Sequence, residues 1–129
     1  MEHLLRAALI DWLRGDPVLT GRLNAISEEA PVAATPPWLG IAASASTDWS
    51  VKNRTGREVR IALELTDRQD EAAAMAVTTQ HIEERIAAFA PEQDGFECPG
   101  IHFLRGRAEQ RPRNLRTALL EYRFRILAN

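Results

Sequence analysis

The apolar positions of this chain change period along its length, and each change marks an element. Leu4, Leu5, Ala8, Leu9, Trp12 and Leu13 recur at the spacing of one helical face, and Gly15 followed by Asp16-Pro17 stops the pattern. Residues 2 to 14 are therefore predicted to form a helix with one buried side. From Asp16 to Pro37 the pattern weakens, with Val18, Leu19, Leu23 and Ile26 scattered among polar residues before Pro31 and the Pro36-Pro37 pair forbid regular helix. A loop with one short strand near Leu23 to Ser27 is expected there. Small and branched residues from Trp38 to Ser46 suit a packed strand, and the polar, turn-rich stretch from Asp48 to Gly56 reads as an exposed hairpin loop.

Val59, Ile61, Leu63 and Leu65 then alternate with Glu58, Arg60, Ala62 and Glu64, the period of a strand with one face buried. Thr66 or Asp67 is placed to cap a following helix whose first turn holds Asp70 and Glu71, where the positive end of the dipole favours carboxylates. That helix, about residues 68 to 89, carries the apolar stripe Ala72, Met75, Ala76, Thr79, Ile82, Ile86 and Phe89, and Pro91 ends it. Ile101 to Glu109 and Leu115 to Leu127 read as an antiparallel pair about the turn Arg111-Pro112-Arg113-Asn114. In that register Leu120, Tyr122, Phe124 and Ile126 point inward and Glu121, Arg123 and Arg125 outward. The fold class is α+β: one domain over residues 1 to 129, mainly antiparallel sheet, with an N-terminal helix and one long helix packed on one face. At 129 residues and 45% apolar, such a domain buries roughly two thirds of its unfolded-chain surface.

Composition adds little chemistry but one asymmetry. No apolar run approaches the ~20 residues of a bilayer span, and acidic Glu2 stands where a leader would have its basic region. A soluble chain made in the cytoplasm, with no membrane partner, is expected. The lone Cys98 has no intrachain disulfide partner. The net charge of −2 hides seven acids and seven bases in residues 1–60, nine and two in 61–100, and two and seven in 101–129. The seven C-terminal bases are all arginines, and the chain has fifteen Arg against one lysine, Lys52. Arginine's planar fork suits bidentate pairing with carboxylates across interfaces, and a GC-rich genome produces the same bias.

No catalytic constellation is present. His81 and Glu84 stand three apart on the predicted helix, but carboxylate–histidine metal sites in helical proteins need a second such pair. His3 and His102 lack metal-ligand spacing, Cys98 lacks a CxxC partner, and no nucleophile elbow, phosphate loop or dinucleotide fingerprint occurs. No enzyme activity, metal or cofactor is expected. The arginines at 105, 107, 111, 113, 116, 123 and 125 leave open a nucleic-acid-binding module, and a small protein-interaction module is a further alternative. Against nucleic acid stand the acidic total and the lack of an aromatic stacking platform. Trp49, flanked by Asp48, Ser50 and Lys52 in the predicted loop, is out of place unless it packs on a partner or on its own sheet edge.

The N-terminal helix with its Asp16-Pro17 stop, the strand start Pro37-Trp38-Leu39-Gly40, the Thr47-Asp48-Trp49 loop, the strand Val59 to Thr66 and the closing strand Leu120 to Leu127 carry a resemblance over nearly the whole chain. Together they resemble the small tail-completion or tail-terminator proteins of long-tailed bacteriophages, prophages and gene transfer agents. The resemblance implies a structural virion protein at the head-proximal end of the tail: a hexameric ring that ends growth of the tail tube and offers a surface to head-completion or connector proteins. It implies no covalent chemistry, and DNA that passes through the bore without specific binding. A ring needs a heterologous interface, in which one patch meets a different patch on the neighbour. An acidic helix region and a basic hairpin with Arg113, Arg123 and Arg125 are one candidate pair, and the loop with Trp49, Lys52, Arg54 and Arg57 is a second contact surface. Exposed charge pairs contribute only ~0 to 1 kcal/mol each, so a stable ring also needs apolar contact, for which Trp49 is the candidate.

Overall fold

In the computed structural model, which describes residues 1–31, 33–68 and 72–129, the predicted alternation becomes a helix-backed sheet. In chain order the elements are α1 (Glu2–Arg14), α2 (Pro17–Arg22), β1 (Ala25–Ser27), β2 (Trp38–Asp48), β3 (Gly56–Asp67), α3 (Ala72–Ala87), β4 (Glu92–Gln93), β5 (Phe96–Arg111) and β6 (Leu115–Ala128). The six strands form one sheet in the order β1-β2-β3-β6-β5-β4. All pairings are antiparallel except β1 with β2. At the centre β3 and β6 pair without a register shift, from Gly56 opposite Leu127 to Asp67 opposite Arg116. Because side chains alternate across a strand, Val59, Ile61, Leu63 and Leu65 of β3 fall beside Leu120, Tyr122, Phe124 and Ile126 of β6 on one face, and all are buried.

The helices cover that face. Leu5, Leu9 and Leu13 of α1 are fully buried in the shared core, as the spacing predicts. Trp12 and Arg85 clasp α1 to α3. The indole Nε1 donates to the Arg85 carbonyl at 2.6 Å, the guanidinium donates back to the Trp12 carbonyl at 2.7 and 2.9 Å, and its carbon lies 3.4 Å from the indole centroid. A lysine has neither the fork nor the flat face for this arrangement.

Two expectations are corrected. The stretch after Asp16 is not all loop: the Asp16 carboxylate accepts the Val18 N–H at 3.0 Å and Pro17 occupies the first helical position, so the pair that stops α1 also starts α2. Six residues with only Leu19 buried are too few to display an apolar period. The second correction concerns α3, whose described span lies inside the predicted 68 to 89, with Asp70 and Glu71 outside the described residues. Thr66 and Asp67 are buried at the end of β3, and the backbone that either would cap lies outside the described residues. The buried side of α3 is Met75, Thr78, Ile82 and Ile86, whereas Ala72 and Ala76 are exposed. Alanines specify a helix face weakly, and here they border a groove of about 690 Å³ between α3 and the β5–β6 hairpin. The stripe turns instead toward α2, where Arg22 donates to the Thr78 hydroxyl at 3.3 Å.

Two tight places in the sheet generate predictions. A Cβ on Gly56 would collide with the Trp49 carbonyl oxygen and stand 2.9 Å from Leu127 Cδ2, whereas one on Gly21 in α2 would meet nothing within 4 Å. Gly56→Ala is expected to destabilise the fold by about 1–3 kcal/mol, with Gly21→Ala neutral or stabilising by up to about 1 kcal/mol, both read from urea unfolding. Cys98 is 3% exposed, and burial pushes its thiol up to about 11 from 9.0. Since the thiolate is the reactive form, a two-unit rise lowers its fraction roughly a hundredfold. Labelling by a disulfide reagent at pH 8 should be at least that much slower in native protein than in urea-unfolded protein; equal rates would place Cys98 at the surface.

Candidate functional site

The residues singled out by sequence gather mostly at one end of the sheet. β2 and β3 are joined by a tight turn in which Trp49 N–H donates to the Gly56 carbonyl at 3.0 Å and Val51 exchanges bonds with Arg54 at 3.0 and 3.4 Å. Lys52 is exposed at its tip. Trp49 is half-buried against its own subunit, with the Arg125 guanidinium carbon 5.3 Å from the ring centroid. Arg54 crosses to Glu97 at 2.9 Å and to the Ala128 carbonyl at 3.0 Å, closing this end over the last residues of β6. Arg57 bridges Glu2 at 3.0 Å and Asp48 at 3.2 Å, so it ties α1 to the hairpin. The Ser50 hydroxyl, with Arg57 behind it, holds the Asp48 carboxyl below its ordinary value. The Glu2 carboxyl is also lowered, first by its own backbone N–H, with the Ser46 hydroxyl and Arg57 adding to it.

The outward arginines of β5 and β6 are largely occupied within the subunit. Glu58 of β3 takes Arg123 at 3.7 Å and Arg125 at 3.2 Å. Arg105 binds Glu121 at 2.6 Å, Arg107 binds Glu109 at 3.0 Å, and Arg111 reaches Glu64 at 3.4 Å. The Arg105 hydrogen bond keeps the Glu121 carboxyl low. Arg113 stands apart. It lies with Asn114 in the β5–β6 turn, both at positive φ (65° and 62°), an uncommon backbone for residues with a Cβ. Twelve residues of strand at ~3.3 Å each separate it from Arg125, roughly 40 Å along the sheet. The candidate residues therefore occupy two ends of the subunit and do not form one site.

The histidine and glutamate that the sequence set three apart on α3 are each engaged within the subunit. His81 Nε2 lies 3.0 Å from the buried Asp16, linking α2 to α3, while Glu84 accepts from Gln80 at 3.2 Å. Among the described residues no group of three His, Cys, Asp or Glu side chains could hold a metal, and no helix is long and apolar enough to cross a membrane. Sequence reasoning missed three features. The Thr117 hydroxyl is buried without a hydrogen-bond partner beside the α3 groove. Phe103 is 45% exposed at the open side of β5, edge-on to Tyr122 with centroids 5.3 Å apart. Glu58 is the shared acceptor of Arg123 and Arg125. Alternation in β3 and β6 puts Glu58 and Arg125 on the outward face, but only the strand register sets them opposite each other.

This fold is found in a solved virion particle. A solved structure described as the virion of a native gene transfer agent particle contains a chain with the same fold, at a TM-score of 0.80 and 18% identity, over 98% of this chain and 97% of that one. No curated protein matches the sequence. The family model for tail completion protein gp17 matches residues 7–127, from within α1 to the last-but-one residue of β6. By that match the chain belongs to the tail completion protein gp17 family.

Proposed function

We propose that this protein sits in the virion as a ring at the head-proximal end of the tail tube, ends growth of the tube and joins the tail to the head connector. The observation that carries the reading is the family match over nearly the whole chain. The fold shared with a chain of a gene transfer agent virion supports a place in a particle of that kind. The ring is hexameric in this reading, its partners are the tail-tube protein on one side and a head-completion or connector protein on the other, and the subunit waits in the host cytoplasm before assembly. Its work is mechanical and no bond is made or broken.

The two-ended layout supports the joining role. The end with Trp49, Lys52, Arg54 and Arg57 and the end with Arg113 lie at opposite limits of the long strands, so one subunit offers different surfaces to two neighbours. Arg123 and Arg125 lie toward the Trp49 end on the sheet face opposite the helices, held by Glu58. Ion pairing across that face also weakens the nucleic-acid alternative. Duplex binding gains from releasing counterions at phosphate-facing bases, and five of the seven C-terminal arginines already face a carboxylate. DNA passing through such a ring has no cluster of unpaired bases to adhere to on that face.

The native mass of the protein, alone and mixed with its tail-tube protein across a concentration series, tests the ring. A closed six-subunit species in either condition is the expected result, and a monomer or dimer that ignores the tube protein would overturn the proposal. A gel shift with linear duplex at ~0.1 M salt is expected to give no tight complex. Submicromolar binding that falls steeply with added salt would favour the nucleic-acid module instead.

A further inference from the structure

The sheet has six strands, but its outermost two are stubs. β1 pairs with β2 only from Trp38 to Gly40, and β4 pairs with β5 only at Phe96 and Glu97. Among the described residues nothing pairs with the outer side of β2 from Ala42 to Asp48 or of β5 from Gly100 to Arg111. The polarity of the β2 edge follows from its inner ladder. Trp49 N–H bonds to Gly56, and alternate residues of an antiparallel strand turn to the same neighbour. Thr47, Ala45 and Ala43 therefore face β3, while Ser44, Ser46 and Asp48 direct their N–H and C=O groups outward. Long open edges invite pairing with another chain, and soluble proteins ordinarily block them with lysine, proline or inward-pointing charge. The open stretch of β2, residues 42 to 48, contains no lysine or proline.

We propose that the open edge of β2 pairs antiparallel with the open edge of β5 on a second copy of this chain, so that the sheets of neighbouring subunits run on as one. This rests on the ring reading above and names the bond that closes the ring. Four observations choose this occupant. Successive antiparallel pairings make β2 and β5 run in opposite directions, so rotating one copy about an axis along the strands brings a β5 edge antiparallel to the next β2 edge. The open stretches also lie at one height: Ile41 is level with Leu63, Leu120 and Gly106, and Ser46 is level with Val59, Phe124 and Ile101. Charge agrees, because Ile41 N–H bonds the Glu28 carbonyl at 3.3 Å, which sets exposed Glu28 and Glu29 where they meet Arg107 and Arg111 of the next copy. Finally, Ser44 and Ser46 hydrogen-bond to α1 through Arg6 and Glu2, which puts their side chains on the helix-covered face. Phe103 shares that face and is level with Ser44, so it is brought beside Arg6 at the neighbour's α1 edge, where its ring can take a guanidinium.

The alternatives of two matching edges fit less well. A two-fold β5–β5 contact sets Arg105 and Arg107 beside their own images, and a two-fold β2–β2 contact leaves Phe103 exposed. Ser46→Pro separates edge pairing from everything inside the subunit, because proline removes an outward N–H that the monomer does not use. Ser46→Ala is its control, losing the hydroxyl bond to Glu2 but keeping the N–H. With the tail-tube protein present, wild type and Ser46→Ala should assemble alike. Ser46→Pro should need at least tenfold more protein for half-assembly, with the circular dichroism of the free subunit unchanged. Rings of Ser46→Pro that form as readily as wild type would overturn the inference while leaving the ring reading intact. Amide exchange on wild-type rings gives a readout independent of that variant's folding: Ser44, Ser46 and Asp48 should exchange at least tenfold more slowly than in the free subunit. Unchanged exchange would overturn edge pairing, and a wild type that never assembles would remove both readings together.

Discussion

The unbroken pairing of β3 with β6 is the constraint on which the other parts of this molecule depend. It puts two four-residue apolar rows side by side on one face, and that combined surface is wide enough to need cover from α1 and α3 together. The same register sets Glu58 opposite Arg125 and next to Arg123 on the other face, so the burial pattern and the ion pairs follow from one alignment. A slip of one residue would exchange the two faces, burying arginines and exposing Phe124 and Ile126. β2 and β5 are then added to the outside of this pair, β2 with one register shift, at Ala42, and β5 with two, between Glu97 and Gly100 and at Leu104, which adds local twist to the outer strands.

Function in such a protein lies in surfaces. The charged residues that looked like a basic patch are tied into pairs within the subunit, each contributing little on its own because it is exposed. Among the described residues the subunit leaves two long strand edges with open backbone hydrogen-bonding groups, next to one exposed aromatic ring. Backbone pairing has a fixed direction and spacing, so it can repeat around a ring with the same geometry at every boundary. That geometric repetition is what the proposed ring requires, whereas scattered ion pairs would tolerate many orientations.

The candidate residues divide in an informative way. Trp49 packs under Arg125 on its own subunit, one of the two positions the sequence left open for it, while Phe103, to which the sequence pattern gave no direction, is exposed. A solvent-facing aromatic in a polar loop looks anomalous in sequence, but a short turn can fold it back on the sheet. An aromatic in an apolar row looks buried, but the row outruns the helices at the edge of the sheet.

The sequence by itself determined the helix of residues 2 to 14, the alternating strands, the hairpin at Arg111 to Asn114 and the family, because local periodicity and turn chemistry are written residue by residue. Helix α2 was hidden because six residues hold less than two turns, and the buried side of α3 was misjudged because alanine fits either side of a helix. Which strands became neighbours, and so which arginine met which glutamate, was decided only by tertiary structure. The same holds for the open edges: whether a strand's outer hydrogen bonds are satisfied depends on what lies beside it in space, and β1 and β4 are too short to cover β2 and β5.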